Sequence, residues 1–167
     1  MKLLLIRHGR TIHNEKGIIQ GQFDSELSEE GINKTKEFRK TFNRHYDYCY
    51  ASPLTRTKLT AEIITGSKDI IYDKRLMEAS FGEMENTPVT EEKLINYITG
   101  KNIPKCAETR EDVVRRVKNF LTELKNKHKD TDTILIVTHG GVIRAIQEMY
   151  NDKSHEIKNL ELFELDI

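Results

Sequence analysis

The clearest strand signal in the chain is Thr133-Ile134-Leu135-Ile136-Val137, which runs into the polar turn Thr138-His139-Gly140-Gly141. A short continuous apolar run of this kind is typical of a strand covered on both faces. The turn passes directly into an amphipathic segment, which predicts a helix over Val142–Tyr150. Leu3-Leu4-Leu5-Ile6 is a second such run, and it ends at Arg7-His8-Gly9. Two buried strands therefore each deliver a histidine at the carboxyl end.

Strand and helix signals alternate along the rest of the chain. Aromatic or β-branched residues and alternation predict strands, whereas capping residues before a 3.6-residue apolar stripe predict helices. We predict strands at Asp47–Ala51, Ile70–Tyr72 and, at a sheet edge, Leu160–Leu165. We predict helices after the caps Ser28, Ser52 and Thr109, with Pro53 at the first helical position and Gly66 as the stop, and a short helix at Glu91–Ile98. This alternation predicts a three-layer α/β/α sandwich with a mostly parallel central sheet. We expect a single domain over residues 1–167 with a short cap-like insertion at about 81–106.

Composition excludes several classes of function. The 167 residues include 27 Lys and Arg against 27 Asp and Glu, so the formal charge is zero and no overall field attracts nucleic acid or a membrane surface. No apolar run approaches the length of a membrane span or a secretory signal. Cys49 and Cys106 have neither metal spacing nor disulfide density, so we expect both to be reduced in the interior of a cytoplasmic protein.

The polar residues of interest follow three predicted strands. Arg7-His8 follows the first, the segment from Ser52 to Arg56 follows the second, and His139-Gly140 follows the strongest. Ligands of open α/β sheets bind outside the carboxyl ends of the strands. A single histidine or arginine in such a place is usually a surface residue, but the set together predicts an anion site that contains a nucleophile.

These residues resemble the histidine phosphatase (phosphoglycerate mutase-like) superfamily. The matching blocks are Leu5-Ile6-Arg7-His8-Gly9-Arg10-Thr11 followed by Asn14, Ala51-Ser52-Pro53-Leu54-Thr55-Arg56, Arg75-Leu76-Met77-Glu78-Ala79-Ser80-Phe81-Gly82, and Ile136-Val137-Thr138-His139-Gly140-Gly141. A weaker family pattern falls on Gly21, Asp24, Leu27, Ser28 and Gly31. The resemblance covers the chain from Met1 to about Tyr150.

The resemblance implies a phosphoryl-transfer site. His8 is the residue implied to be transiently phosphorylated, and the implied catalytic set is Arg7, His8, Arg56, Glu78 and His139. Implied phosphate or substrate contacts also include Asn14, Gln20, Gly21 and Gly140. Guanidinium groups suit phosphate oxygens better than a lysine point charge, and two cations near His8 would lower the pKa of its ring and keep it neutral. We expect no cofactor and no metal.

Several of these assignments have plain structural alternatives. Glu78 lies near Glu83 and Glu85, so spacing alone leaves it as a solvated acid, and Gln20 and Gly21 are equally compatible with an ordinary turn. We expect His13 and His45 to be surface histidines. A metal site from His8, His13 and Glu78 has no helical spacing to support it.

Three positions depart from the family pattern. Arg10 replaces a residue that is usually acidic, glutamine or small, so it either faces solvent or adds positive charge at the rim of the site. Leu59 and Met84-Glu85-Asn86 also differ from the usual glutamine and Trp-Glu-Gly. These departures affect the substrate rather than the chemistry.

Mutases of this family generally carry longer insertions that cover the pocket, whereas the segment between Phe81 and Pro104 is brief here. The resemblance therefore implies an open pocket that admits water, which favours hydrolysis over transfer to a second hydroxyl. It implies a metal-independent phosphomonoesterase for a small phosphorylated metabolite, in a monomer or homodimer. Candidate substrates are sugar phosphates, phosphoglycerate, α-ribazole phosphate and nucleotides. Alternatives are a phosphoglycerate mutase, a phosphohistidine protein phosphatase and, in another class, a catalytically silent phospho-ligand binding or scaffold protein.

Overall fold

The computed structural model describes residues 1–66, 69–151 and 157–167. The described residues form a five-stranded sheet in the order β3-β2-β4-β1-β5. The strands are β1 (Lys2–Arg7), β2 (Tyr48–Ala51), β3 (Ile70–Tyr72), β4 (Thr133–Thr138) and β5 (Leu162–Asp166). β1, β2, β3 and β4 pair in parallel, and β5 is an antiparallel edge strand beside β1. The mostly parallel sheet is confirmed.

The helices connect these strands. They are α1 (Ile12–Lys16), α2 (Glu29–Thr41), α3 (Thr55–Thr65), α4 (Glu91–Thr99), α5 (Arg110–Lys127) and α6 (Gly140–Met149). Short 3₁₀ turns lie at Lys74–Leu76 and Gly82–Met84. The short helix α1 and these two turns have no counterpart in the sequence prediction, since fewer than two turns leave no apolar stripe to detect.

The sheet carries helices on both faces, because alternate side chains of a strand point in opposite directions. Leu3 and Leu5 of β1 pack into a cluster with α5 and α6, including Phe120 and Ile143. Leu4 and Ile6 pack on the other face, where side chains from α2 and α3 cover the second cluster. Each large apolar side chain buried in this way stabilises the fold by about 1.5–3 kcal/mol. The three-layer α/β/α sandwich is confirmed.

Helix capping follows the sequence at three of the predicted positions. The Ser28 hydroxyl accepts from Gly31 N at 3.1 Å, and Thr109 forms a capping box with Asp112. Gly66 ends α3 with φ near +75°, a left-handed conformation that favours glycine. These caps provide partners for backbone N–H and C=O groups that a helix end leaves without one.

Two predictions are wrong. Ser52 does not cap α3, which begins at Thr55 and has its N-terminal amide bonded instead by the Asp24 carboxylate at 2.8 Å. A carboxylate from a distant loop thus takes the place of a local cap, and Pro53 precedes the helix. Cys106 is exposed in the loop before α5, whereas Cys49 is buried as expected, and burial raises the pKa of the Cys49 thiol to about 12.

Parallel pairing aligns the carboxyl ends of the central strands. The register of β1 on β4 places Arg7 opposite Thr138, and β2 pairs with the other side of β4 up to Ala51 opposite Val137. The residues that follow these strands therefore emerge side by side at one edge of the sheet. Among the residues described, no helix is both long and apolar enough to span a bilayer.

Candidate active site

Backbone hydrogen bonds extend the strand pairing into the candidate site. His8 N donates to Thr138 O at 3.0 Å, and Ser52 N donates to Val137 O at 3.1 Å. As a result the imidazole rings of His8 and His139 lie 5.2 Å apart between centroids, tilted by 58°. The structure thus brings together the two histidines that the sequence placed at separate strand ends.

His8 is held in a neutral form with a defined tautomer. Its side chain is 2% exposed, and its Nδ1 lies 2.7 Å from the carbonyl oxygen of Gly9. A carbonyl oxygen can only accept, so Nδ1 carries the proton and Nε2 keeps its lone pair. Burial lowers the pKa of His8 well below its usual value, and the positive charges of Arg56 and Arg7 lower it further. The ring therefore presents an unprotonated Nε2.

Arg56 is a buried cation beside this ring. It is 1% exposed and donates through Nη2 to Gly21 O at 2.6 Å and through Nη1 to Phe23 O at 3.0 Å. Burial lowers its pKa to about 10, which still leaves the guanidinium charged at neutral pH. Within the described chain its buried Nε has no hydrogen-bond partner, so one donor remains for a ligand oxygen.

Arg7 supplies a second guanidinium at the end of β1. Its Nη1 donates to the carbonyl oxygen of Ile157 at 2.5 Å, which fixes the side chain on the cavity wall. Because two guanidiniums meet in a partly enclosed space, the site attracts an anion with several oxygen atoms.

His139 is fully buried and oriented by Ser52. Its Nε2 lies 2.8 Å from the Ser52 hydroxyl, and its Nδ1 has no hydrogen-bond partner among the described residues. Burial lowers the pKa of His139 well below its usual value, and the charges of Arg56 and Arg7 add to this effect. Sequence reasoning missed this contact of Ser52, although its place at the carboxyl end of β2 was a signal for it.

Glu78 points at the amino-terminal end of α6. Its Oε2 accepts from Gly141 N at 3.2 Å, and its Oε1 accepts from Ala79 N at 3.0 Å. Its backbone carbonyl accepts from Arg116 Nη2 and Gln22 Nε2, both at 3.1 Å. A Cβ added at Gly141 would lie 2.3 Å from Glu78 Oε1, so a side chain there would displace the carboxylate from its present position.

These elements enclose a cavity of about 330 Å³, and the buried His139 is not among the residues that line it. Seven of the predicted site residues line it: Arg7, His8, Gln20, Gly21, Arg56, Glu78 and Gly140. Gln20 Oε1 accepts from Thr11 Oγ1 at 2.8 Å, and the Gly21 carbonyl holds Arg56, so both turn residues also have structural roles. The cavity also has an apolar part. The sequence singled out Met84 as a position that affects the substrate, but it did not predict an apolar surface.

Some predicted residues lie elsewhere. Asn14 forms the capping box of α1, with Oδ1 accepting from Thr11 N at 3.1 Å, and it is not among the cavity-lining residues. Its role as a phosphate donor stays a prediction. Arg10 faces solvent and pairs with Glu30 at 3.4 Å. This favours the interpretation that Arg10 is a solvent-facing residue over the one in which it adds positive charge at the rim of the site.

The described residues do not form the alternative metal site. Across residues 1–66, 69–151 and 157–167, no group of three or more His, Cys, Asp or Glu side chains is arranged to hold a metal ion. The His13 ring instead contacts Asn86 at 3.0 Å, and His45 pairs with Asp47 at 3.1 Å in an exposed position.

The fold and the site define a class of protein: a three-layer α/β protein with two buried histidines and two arginines at the carboxyl edge of its sheet. Residues 3–165 match the family model described as the histidine phosphatase superfamily (branch 1), and the chain belongs to that family. Among its relatives, phosphoserine phosphatase 1 of Hydrogenobacter thermophilus is 33% identical over 164 residues, covering 87% of this chain and 74% of the relative. A broad-specificity phosphatase of Saccharomyces cerevisiae is 27% identical over 178 residues, covering 100% and 77%.

Solved structures agree with this assignment. The crystal structure of an Entamoeba histolytica phosphoserine phosphatase in complex with 3-phosphoglyceric acid superposes with a TM-score of 0.83 at 27% identity. The match covers 98% of this chain and 89% of that one. The expected resemblance to histidine phosphatases is therefore confirmed, and it extends over nearly the whole chain.

Proposed function

We propose that this protein is a metal-independent phosphomonoesterase that hydrolyses a small phosphorylated metabolite through a phosphohistidine on His8. The single observation that carries the proposal is the buried His8 ring, whose Nδ1 bonds to Gly9 O at 2.7 Å while two guanidiniums stand beside it. This arrangement leaves the Nε2 lone pair next to a cationic hollow. Phosphatase names among the relatives, including the two phosphoserine phosphatases above, support the same reaction class.

In the first step, His8 Nε2 attacks phosphorus and the P–O bond to the alcohol breaks. Glu78, in its protonated form, donates its proton to the departing alkoxide. Arg7 and Arg56 stabilise the charge on the equatorial oxygens, and this stabilisation is the main contribution to phosphoryl-transfer catalysis. His8 becomes N-phosphorylated on Nε2, while its proton stays on Nδ1 and Nδ1–H donates to the Gly9 carbonyl oxygen.

In the second step, water attacks the phosphohistidine and the P–N bond breaks. The Glu78 carboxylate accepts the proton from that water, inorganic phosphate leaves, and His8 returns to its neutral form. Over the two steps, one ester and one water molecule yield one alcohol and one inorganic phosphate, with no other co-reactant. The charge of the transferring group is met by the arginines, so the scheme needs no metal ion.

His139 supplies a further donor in this scheme. The Ser52 hydroxyl has one proton, and the nearest acceptor described for it is His139 Nε2 at 2.8 Å. If Ser52 donates there, the His139 proton lies on Nδ1, the buried atom without a partner in the described chain. Its contact with a phosphate oxygen stays a prediction, because His139 is not among the cavity-lining residues.

Hydrolysis of p-nitrophenyl phosphate with EDTA present tests the proposal. We expect wild-type turnover that His8→Ala abolishes, whereas His45→Ala, a change to an exposed histidine, leaves it intact. Turnover that survives His8→Ala would exclude the phosphohistidine. Addition of 3-phosphoglycerate with a bisphosphoglycerate primer separates hydrolysis from mutase activity, because only a mutase interconverts the phosphoglycerates.

A further inference from the structure

The cavity beside His8 has an apolar side. We name this side the apolar wall and define it by Phe81, Met84, Val89, Leu94, Tyr97 and Ile98, all of which line the cavity. We propose that the apolar wall selects phosphomonoesters whose alcohol portion is itself apolar, such as a short alkyl chain or a single aryl ring. This inference rests on the proposed function and names the substrate class for that site.

The wall contains apolar surface that the fold does not bury. Val89, Leu94 and Ile98 are 44%, 50% and 61% exposed, and they lie within one segment that ends in α4. Concentrated exposed apolar surface on a water-soluble domain marks a place where another group docks. Here the three side chains face the same cavity as His8, so the docking group that the position indicates is part of the ligand.

The two sides of the cavity differ in chemistry. Arg7 and Arg56 lie at the side of His8, and this is where the phosphoryl group of an ester belongs. The rest of the ester then extends toward α4. An amino-acid or polyol leaving group would lose its hydrating water there and find few hydrogen-bond partners. Each polar group left unpaired in this way costs binding free energy.

Two cations near the wall do not change this assignment. Lys93 Nζ donates to Thr87 Oγ1 at 2.8 Å and to Pro88 O at 2.9 Å, so it fastens the start of α4. Arg144 on α6 is exposed and lines the same cavity. A phosphoester with a carboxylate is therefore the comparison ligand, because its carboxylate could pair with Arg144.

The wall is preformed, and its size limits the ligand. Tyr97 packs edge-on against Phe81 with ring centroids 4.6 Å apart, and burial raises the pKa of Tyr97 to about 12. The cavity of about 330 Å³ lies at the small end of the range for ligand sites, which fits one ring or a short chain beside a phosphate. A preformed apolar surface binds an apolar group with a smaller ordering penalty than a flexible one.

Turnover of primary alkyl phosphates measures this preference, because their leaving groups are chemically alike. With EDTA present, we expect kcat/KM to rise from methyl through n-butyl to 2-phenylethyl phosphate, by at least about tenfold from methyl to n-butyl. Each methylene that the wall buries fully contributes up to about fourfold. We also expect n-butyl phosphate to be hydrolysed faster than phosphoserine.

Matched variants of α4 locate the effect. Ile98→Ser and Leu94→Ser should lower kcat/KM for n-butyl phosphate by at least about threefold more than for methyl phosphate. Ile95 is 51% exposed on the same helix but does not line the cavity, so Ile95→Ser should leave both values unchanged. Equal unfolding temperatures would show that the variants are folded.

Several results would overturn the inference without touching the proposed function. The first is an equal kcat/KM for all alkyl phosphates with turnover that still depends on His8. The others are a higher kcat/KM for phosphoserine than for n-butyl phosphate, and an equal loss of kcat/KM in Ile95→Ser and Ile98→Ser. Calorimetric binding of n-butylphosphonate and methylphosphonate provides an independent readout. If no ester is hydrolysed but n-butylphosphonate binds at least tenfold more tightly, the proposed function fails and the apolar ligand site stands; equal binding removes the site as well.

Discussion

His8 Nδ1 lies 2.7 Å from the carbonyl oxygen of the next residue, Gly9, inside a site where the ring is almost wholly buried. This local contact assigns the proton to Nδ1 and leaves Nε2 free. Gly9 in turn is held by its own N–H, which donates to Thr60 Oγ1 at 3.0 Å. A backbone carbonyl thus sets the tautomer of the proposed nucleophile, and a buried hydroxyl of α3 holds the residue that supplies this carbonyl.

Lowering the pH below 6.5 should decrease the stability of the protein because two histidines are buried in their neutral form. Burial lowers the folded-state pKa of His8 and of His139, so below pH 6.5 the unfolded chain binds protons that the folded chain does not. Each histidine then lowers the free energy of unfolding by about 1.4 kcal/mol between pH 7.5 and 5.5, provided its folded-state pKa is below that range. At a pH well above 6.5 the two histidines are neutral in the unfolded chain as well, so they no longer lower the free energy of unfolding. Urea unfolding of wild type and His8→Asn at both pH values checks this, and an unchanged pH dependence in the variant would contradict it.

Glu78→Gln should slow poor leaving groups most. An alkoxide needs a proton as it departs, whereas p-nitrophenolate does not, and general acid catalysis contributes about 10²–10⁴-fold. We expect kcat/KM for n-butyl phosphate to fall by about 100-fold and kcat/KM for p-nitrophenyl phosphate by much less, because kcat/KM reports the phosphorylation step and excludes the later hydrolysis in which Glu78 is the base. Steady-state kinetics on both esters measure the ratio. Equal losses would mean that Glu78 is not the acid.

Gly141→Ala should reduce activity without unfolding the protein. The new Cβ would lie 2.3 Å from Glu78 Oε1, so the flexible carboxylate must move, while alanine in a helix is favoured over glycine by about 0.5–1 kcal/mol. We expect an unchanged or higher unfolding temperature and about tenfold lower kcat for alkyl esters. In a Glu78→Gln background the same change should have little further effect, and a full additional loss there would show that Gly141 acts by another route.

Ser52→Ala should weaken transition-state binding through His139. The variant loses the 2.8 Å contact with Nε2 and with it about 1 kcal/mol of stability. We expect kcat/KM to fall by about tenfold and inhibition by vanadate, which mimics the trigonal-bipyramidal transition state when bound, to weaken in proportion. A stability loss with unchanged vanadate affinity would reduce Ser52 to a packing residue.

The strand ends could be predicted because their signals are local. The apolar runs before His8 and His139, and the caps at Ser28 and Thr109, depend on a few neighbouring residues, and each element appears where its pattern lies. Parallel pairing then brings the strand ends together by a general rule of such sheets. Membership of the family supports the predicted fold. The role of each site residue stays a prediction.

Contacts between distant segments could not be predicted. Ser52 has the sequence of a helix cap, yet Asp24 from another loop bonds to the start of α3 and leaves the Ser52 hydroxyl beside His139. Asn14 closes a capping box in a helix too short to be detected. The orientation of Leu94 and Ile98 toward the cavity likewise depends on how α4 packs on Phe81, which no local pattern contains.

The most direct test of the central claim is to trap the covalent intermediate. Wild-type protein is mixed with a ³²P-labelled phosphomonoester, quenched at alkaline pH within the first turnover, digested and mapped by mass spectrometry. We predict one acid-labile, alkali-stable phosphoryl group on the peptide that contains His8, absent from His8→Ala and accumulating in Glu78→Gln with activated esters. Turnover with no label on His8, or label on another residue, would contradict the account.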